Sequence, residues 1–122
     1  MTTSEDLSLA ATAIVRVCRR LYDKGLIAGP DGNVSVRLAD GTVLATPKGM
    51  SKVDVREGDL VTVAGDGSVV AGSRAPSSEL RMHLRIYRCR PDVCAVVHAH
   101  PPTATGFAVA GESFDKPSEM SP

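Results

Sequence analysis

The stretch Val97-His98-Ala99-His100-Pro101-Pro102 carries two of the chain's three histidines one residue apart. On a strand, residues i and i+2 face the same way about 6.6 Å apart along the backbone, so both imidazoles can converge on one ion. Neutral imidazole suits zinc or a similar divalent ion, and a catalytic zinc takes three protein ligands and keeps one position open. At least one more ligand must therefore come from elsewhere. Cys89 and Cys94 are the nearest sulfur atoms in sequence, but four strand residues separate Cys94 from His98 by roughly 13 Å, whereas ligand atoms lie about 2 Å from a zinc ion. The cysteines read instead as small apolar groups. Glu79 and His83, four apart on a helical segment, share a face and are both within reach on spacing alone. Glu79 has the stronger case, because it follows Ser77-Ser78 directly and lies beside the free amides and positive end of a helix.

Three other short segments carry polar groups suited to an anion. The loop Gly29 to Asn33 and the turn Lys48-Gly49 offer backbone amides, an Asn side chain and a cation. Ser77-Ser78 adds two hydroxyls and a helix N-terminus. Singly these are ordinary turns; together they hold the ingredients of a small phosphate or carboxylate site.

The elements that must position these groups follow from periodicity. From Ser4 to Lys24, Leu7, Ala10, Ile14, Val17, Cys18 and Leu21 recur at three- and four-residue steps, which predicts an amphipathic helix. Thr3 with Asp6, or Ser4, can cap it, and Gly25 can stop it. Arg16, Arg19, Arg20 and Asp23 form its solvated face. Val34, Val36 and Leu38 alternate with Ser35 and Arg37 in a strand, Asp40-Gly41 makes a tight turn, and Thr42 to Thr46 returns. A second pair, Leu60 to Val63 and Ser68 to Val70, flanks Gly65-Asp66-Gly67. Ser77 or Ser78 can cap a helix from Glu79 to Arg90, with Leu80, Leu84 and Tyr87 on one side, and Pro91 ends it. Val93 to His100 reads as a strand apolar on both faces, hence central and covered from both sides. A further helix can begin after Pro102 and run from Thr103 to Ala110, whereas Glu112 to Pro122 is polar and lacks a periodic pattern. The resulting fold class is α/β: a three-layer α-β-α arrangement with a central, mainly antiparallel sheet covered by helices on both faces.

At 122 residues the chain suits one domain, residues 1–122, with one small core. Aromatics at 3% leave that core to Val, Leu, Ile and Ala. Lys plus Arg balances Asp plus Glu at 14 each, so no net basic field draws nucleic acid or an anionic membrane. Glu5 and Asp6 precede the first apolar residues, the reverse of a signal peptide, and no apolar run reaches the roughly 20 residues needed to span a bilayer. Three cysteines without a CxxC pair fit reduced thiols. A cytoplasmic location is expected.

Four ordered motifs, Gly32-Asn33-Val34-Ser35, Thr46-Pro47-Lys48-Gly49, Pro76-Ser77-Ser78-Glu79 and His98-Ala99-His100-Pro101, resemble the class II aldolase/adducin family, fuculose-phosphate aldolase type. The resemblance runs from the first helix to the His98-Ala99-His100-Pro101 stretch and corresponds to the N-terminal half of such proteins, so the chain is expected to be truncated at its C-terminus. It implies zinc held by His98, His100 and Glu79, with Glu79 also acting as acid or base once substrate displaces it. It implies substrate phosphate bound by Gly32, Asn33, Gly49, Ser77 and Ser78, and Lys48 is assigned to the same phosphate-binding group as its cation. His83 falls where such proteins often carry a histidine that is not a metal ligand, and is left as structural.

The implied activity is retro-aldol cleavage through a metal-stabilised enediolate, with a small phosphorylated sugar or an aldehyde or ketone as substrate, by an enzyme that forms homotetramers. Related members include sugar-phosphate dehydratases, pentulose-phosphate 4-epimerases and non-catalytic, adducin-like binding domains. The family pattern also has a third histidine ligand and a tyrosine acid further along, for which this chain has no counterpart. Lys48 stands where aldolases often carry a small hydroxyl residue, and Pro30-Asp31 replace the usual small residues before Gly32-Asn33.

Overall fold

The computed structural model describes residues 2–113; the expectation for the polar segment beyond Ser113 lies outside them. The first helix, α1 (Ser4–Asp23), starts with a capping box in which the Thr3 hydroxyl accepts from the Asp6 N–H and the Asp6 carboxylate accepts from the Thr3 N–H. Its buried residues are Ala10, Ala11, Ile14, Cys18 and Leu21, and Leu7 at its start stays partly exposed.

Five strands form one antiparallel sheet: β1 (Asn33–Arg37), β2 (Val43–Ala45), β3 (Val61–Val63), β4 (Val69–Ala71) and β5 (Ala95–His98). Their order is β4-β3-β2-β1-β5. A 3-10 turn, Glu57–Asp59, leads into β3. Two further helices are α2 (Leu80–Cys89) and α3 (Pro102–Ala110).

The period-2 alternation of the strands sorts the core into two clusters. Val34, Leu38 and Leu44 pack with the buried face of α1. Val43, Ala45, Val61 and Val63 pack instead with Leu80, Leu84 and Tyr87 of α2. Strand β1 thus has an apolar side toward α1, while its alternate residues Asn33, Ser35 and Arg37 all hydrogen-bond to α2 or to the chain just beyond it. Arg37 donates to the carbonyls of Tyr87, Pro91 and Val93, supplying partners where the end of α2 leaves carbonyls free, and its guanidinium lies 5.0 Å from the Tyr87 ring centroid.

The expectation of a central strand from Val93 to His100 does not hold. The strand is shorter, and among the described residues it lies at the sheet edge, hydrogen-bonded to β1 alone, with Val97 51% exposed. A run of Val and Ala records suitability for burial but not the identity of the covering partner. Glu79, expected in the first turn of the second helix, stands immediately before it, and the Ser77 hydroxyl accepts from the Glu79 N–H at 3.2 Å.

Candidate metal and anion site

Pairing of β1 with β5 sets Asn33 opposite His98. Just before Asn33, Gly32 adopts φ +75°, and a Cβ there would lie 2.6 Å from the His98 carbonyl oxygen and 2.8 Å from Ile27 Cγ2. Glycine is thus required both for the left-handed backbone and for the close approach of the two chains. His100 lies beyond the end of β5, so strand periodicity does not place its ring. Its N–H donates to the Leu26 carbonyl at 2.9 Å, and the two imidazole centroids come within 4.8 Å at an interplanar angle of 49°.

Glu79 reaches this pair from the segment before α2. Ligand atoms of Glu79, His98 and His100 all lie within 4.8 Å of one another, and the Glu79 carboxylate is 3.1 Å from His98 Nδ1. No sulfur joins the group, in keeping with the exclusion of the cysteines by distance: Cys89 and Cys94 are exposed and Cys18 is buried. Burial raises the Cys18 thiol to about 11, which keeps it protonated at neutral pH.

The donors suit a divalent ion on two counts. Two imidazoles and one carboxylate match the chemistry of a zinc site. His100 Nε2 is buried and has no hydrogen-bond partner, an unmet demand that a bound cation would satisfy. The Asn33 amide donates to Glu79 Oε2 at 2.5 Å. That bond, with the nearby His98 and His100, outweighs burial and holds the Glu79 carboxyl below its ordinary value, so it is ionised at neutral pH.

A cavity of about 280 Å³ adjoins these groups. It is lined by Gly32, Asn33, Lys48, Gly49, Ser77 and Ser78, by Glu79 and His100, and also by Pro30, Asp31, Pro47 and Lys52. The turn at Lys48-Gly49 is brought beside Ser77-Ser78 by a bridge between Pro47 and Pro76 and by the Lys48 N–H donating to the Ala75 carbonyl at 2.8 Å. Gly49 has φ +78° with nothing within 4 Å of an added Cβ, so only its backbone angle calls for glycine. His98 is outside the cavity lining and meets it through Glu79 and Asn33.

Sequence reasoning missed Lys52. It is 3% exposed, and its ammonium donates to the carbonyls of Pro30 (3.0 Å) and Met50 (3.1 Å), tying the loop before Asn33 to the turn after Gly49. Burial lowers its pKa. The Ser-Lys pair in an otherwise polar turn gave no periodic signal that this lysine turns inward. His83 is fully buried between Asn33 and Ser35, with its rings' two nitrogens engaged there, and does not join the metal group. Burial first, then the neighbouring His98, lower it to about 4.

The fold and the site define an α/β domain in which a histidine pair and a carboxylate adjoin a polar cavity. Residues 12–121 match the Class II Aldolase and Adducin N-terminal domain, and the chain belongs to that family. It is 39% identical over 101 residues to an L-fuculose phosphate aldolase of Methanococcus vannielii, covering 83% of this chain and 54% of that protein. It is 43% identical over 98 residues to a 5-methylthioribulose-1-phosphate/5-deoxyribulose-1-phosphate aldolase of Rhodospirillum rubrum, covering 80% of this chain and 43% of that one. Among solved structures, an L-fuculose 1-phosphate aldolase superposes with a TM-score of 0.80 at 34% identity, over 91% of this chain and 51% of that one. The chain spans about half the length of the curated relatives it matches.

Proposed function

We propose that the chain is a single domain of three layers, α-β-α, that supplies the metal and phosphate ligands of an aldolase-type lyase acting on a small sugar phosphate. The observation that carries the reading is the convergence of Glu79, His98 and His100 at the rim of a cavity that also contains Ser77, Ser78 and Gly49. Relatives named for aldol cleavage of fuculose and ribulose phosphates support the same substrate class.

In this reading His98, His100 and Glu79 hold zinc or another divalent ion. When bound there, such an ion would supply Lewis-acid polarisation of the substrate's carbonyl and hydroxyl oxygens. The remaining work belongs to the chain. Asn33, Ser77, Ser78 and the backbone around Gly32 and Gly49 receive the phosphate, and Lys48 sets a positive charge at the cavity edge. Binding energy realised at the phosphate, away from the reacting carbons, holds the substrate in a reactive pose. Glu79 lies between the phosphate pocket and the histidines, placed to bind the ion or, once released from Asn33, to exchange a proton with a substrate hydroxyl.

The protein is read as cytoplasmic, with no nucleic-acid or membrane partner, and as a homo-oligomer of tetramer type. No helix among the described residues is long and apolar enough to cross a membrane. The test is incubation of the zinc-loaded protein with ketose 1-phosphates, among them fuculose, 5-deoxyribulose and 5-methylthioribulose 1-phosphate, while dihydroxyacetone phosphate is assayed. Release from at least one is expected. A folded protein that carries metal and binds phosphate yet cleaves none of them would instead favour a dehydratase, an epimerase or, as the adducin part of the family description allows, a binding domain.

A further inference from the structure

A continuous chain of hydrogen bonds, buried at the α2 end and part-buried at the other, runs from α2 to the candidate metal site. Tyr87 Oη lies 2.8 Å from Ser35 Oγ, which lies 2.7 Å from His83 Nδ1. His83 Nε2 meets Asn33 Oδ1, and the same oxygen is 3.1 Å from His98 Nδ1. Asn33 Nδ2 then donates to Glu79 and, at 3.3 Å, to Ser77 Oγ. Ser35 and His83 are fully buried, Asn33 and Tyr87 nearly so.

The direction of every bond follows from one end. An ionised carboxylate only accepts, so the Glu79 end fixes Asn33 with its NH₂ toward Glu79 and its carbonyl toward the two histidines. That carbonyl also only accepts, so His83 Nε2 and His98 Nδ1 must both carry hydrogen. His98 Nδ1 faces a second acceptor, Glu79 Oε2, which enforces the same assignment. In a neutral imidazole the other nitrogen then bears the lone pair. His83 Nδ1 accepts from the Ser35 hydroxyl, and Ser35 Oγ is left to accept from Tyr87. At the far end, His98 keeps its lone pair on Nε2, the form a metal ligand requires.

We propose that His83, backed by Ser35 and Tyr87, is a positioning residue that holds the Asn33 amide in the orientation Glu79 requires and, through it, keeps His98 in the tautomer competent to bind a divalent ion. The inference rests on the metal-site reading given above. Only one state of the wiring is consistent, because reversing the His83 tautomer would rotate the Asn33 amide, set its carbonyl against the Glu79 carboxylate with no hydrogen between them, and remove the acceptor for His98 Nδ1–H. Ser35 and Tyr87 complete this state at the buried end, giving His83 Nδ1 a donor where no water competes.

The experiment has two parts. Nitrogen-15 spectra of the imidazole rings in metal-free protein assign the protonated nitrogen; hydrogen on Nε2 of His83 and on Nδ1 of His98 is expected. Zinc affinity is then measured by competition with a chromogenic chelator for the wild type, Ser35→Ala, His83→Leu and His83→Gln. Ser35→Ala and His83→Leu are expected to lose about tenfold or more, the usual effect of removing a group that orients a ligand. His83→Gln retains a donor toward Asn33 and is expected to recover most of that loss, which a purely structural role for the ring would not predict.

Hydrogen on Nδ1 of His83 in the wild type overturns the proposal. So does wild-type zinc affinity in folded Ser35→Ala and His83→Leu. If those variants do not fold, Tyr87→Phe, which keeps the ring packing and removes only the first donor, replaces them; a shift in the His83 ring populations with weaker zinc binding supports the proposal, and neither change overturns it. If the wild type binds no zinc, the metal-site reading falls and the positioning role falls with it, while the ring assignment still decides the wiring.

Discussion

Replacing Gly32 by alanine sets a methyl group against the backbone that carries His98. The new Cβ would meet the His98 carbonyl oxygen at 2.6 Å and Ile27 Cγ2 at 2.8 Å. Carbon-oxygen contacts between neighbouring strands settle near 3.3–3.6 Å, so the chains must separate by about 0.7–1 Å. Two costs add: about 1–2 kcal/mol for a left-handed backbone at a non-glycine residue, and about 1–3 kcal/mol for overpacking. Gly49→Ala is the internal control, since Gly49 has nearly the same φ but no atom within 4 Å of its Cβ, and carries only the first cost. Urea unfolding should place Gly32→Ala about 1–3 kcal/mol below Gly49→Ala. Zinc affinity should fall in Gly32→Ala alone, because a ligand constellation tolerates only about 0.5 Å of displacement. Equal stabilities and equal zinc affinities for the two variants would refute the idea that close approach at Gly32 sets the position of His98.

Stability should also depend on pH through His83. Burial lowers its pKa to about 4 in the folded protein, against an ordinary value of 6.5. Between these values the unfolded chain binds the proton that the folded chain refuses, so this contribution is complete above pH 6.5 and is lost as pH falls toward 4, up to about 3 kcal/mol. Denaturant titrations from pH 7 to 4 should show a smaller decline in His83→Gln than in the wild type; parallel declines would contradict the assignment. Lys52→Met removes the link between Pro30 and Met50 and leaves two carbonyls short of a partner, at about 1–3 kcal/mol. Its binding of inorganic phosphate, followed by calorimetry, should weaken; wild-type phosphate affinity in the folded variant would show that Lys52 does not shape the cavity.

What could be read from the sequence depended on whether a signal was local. The capping box at Thr3 and Asp6, the helical spacing of Ala10, Ile14, Cys18 and Leu21, and the alternation of Val34 with Ser35 are short-range patterns, and the structure realises them. The ordered motifs around Asn33, Lys48, Ser77 and His98 also singled out residues that the fold brings into one neighbourhood. The position of β5 in the sheet was not legible, because an apolar run such as Val93 to Val97 does not say which neighbours will cover it. Its spacing from His98 places His100 on the strand, yet it is held beyond the strand end by Leu26, a contact across distant sequence. Ser35 and Arg37 looked like the polar side of an amphipathic strand; their roles depend on α2 crossing that face, where Tyr87, His83 and the end of the helix complete their hydrogen bonds. Lys52 is another such case, since nothing in Met50-Ser51-Lys52 marks an ammonium that folds back onto two carbonyls.

Glu79, His98 and His100 sharing one divalent ion is the arrangement on which the proposed chemistry depends. X-ray absorption at the zinc edge of the loaded protein reports which elements bind the ion and whether imidazole rings are among them. Nitrogen and oxygen ligands only, with the multiple-scattering pattern of two imidazoles that disappears in the double variant His98→Ala, His100→Ala, is the predicted result. A sulfur ligand from Cys89 or Cys94, or an intact spectrum in the double variant, would contradict it.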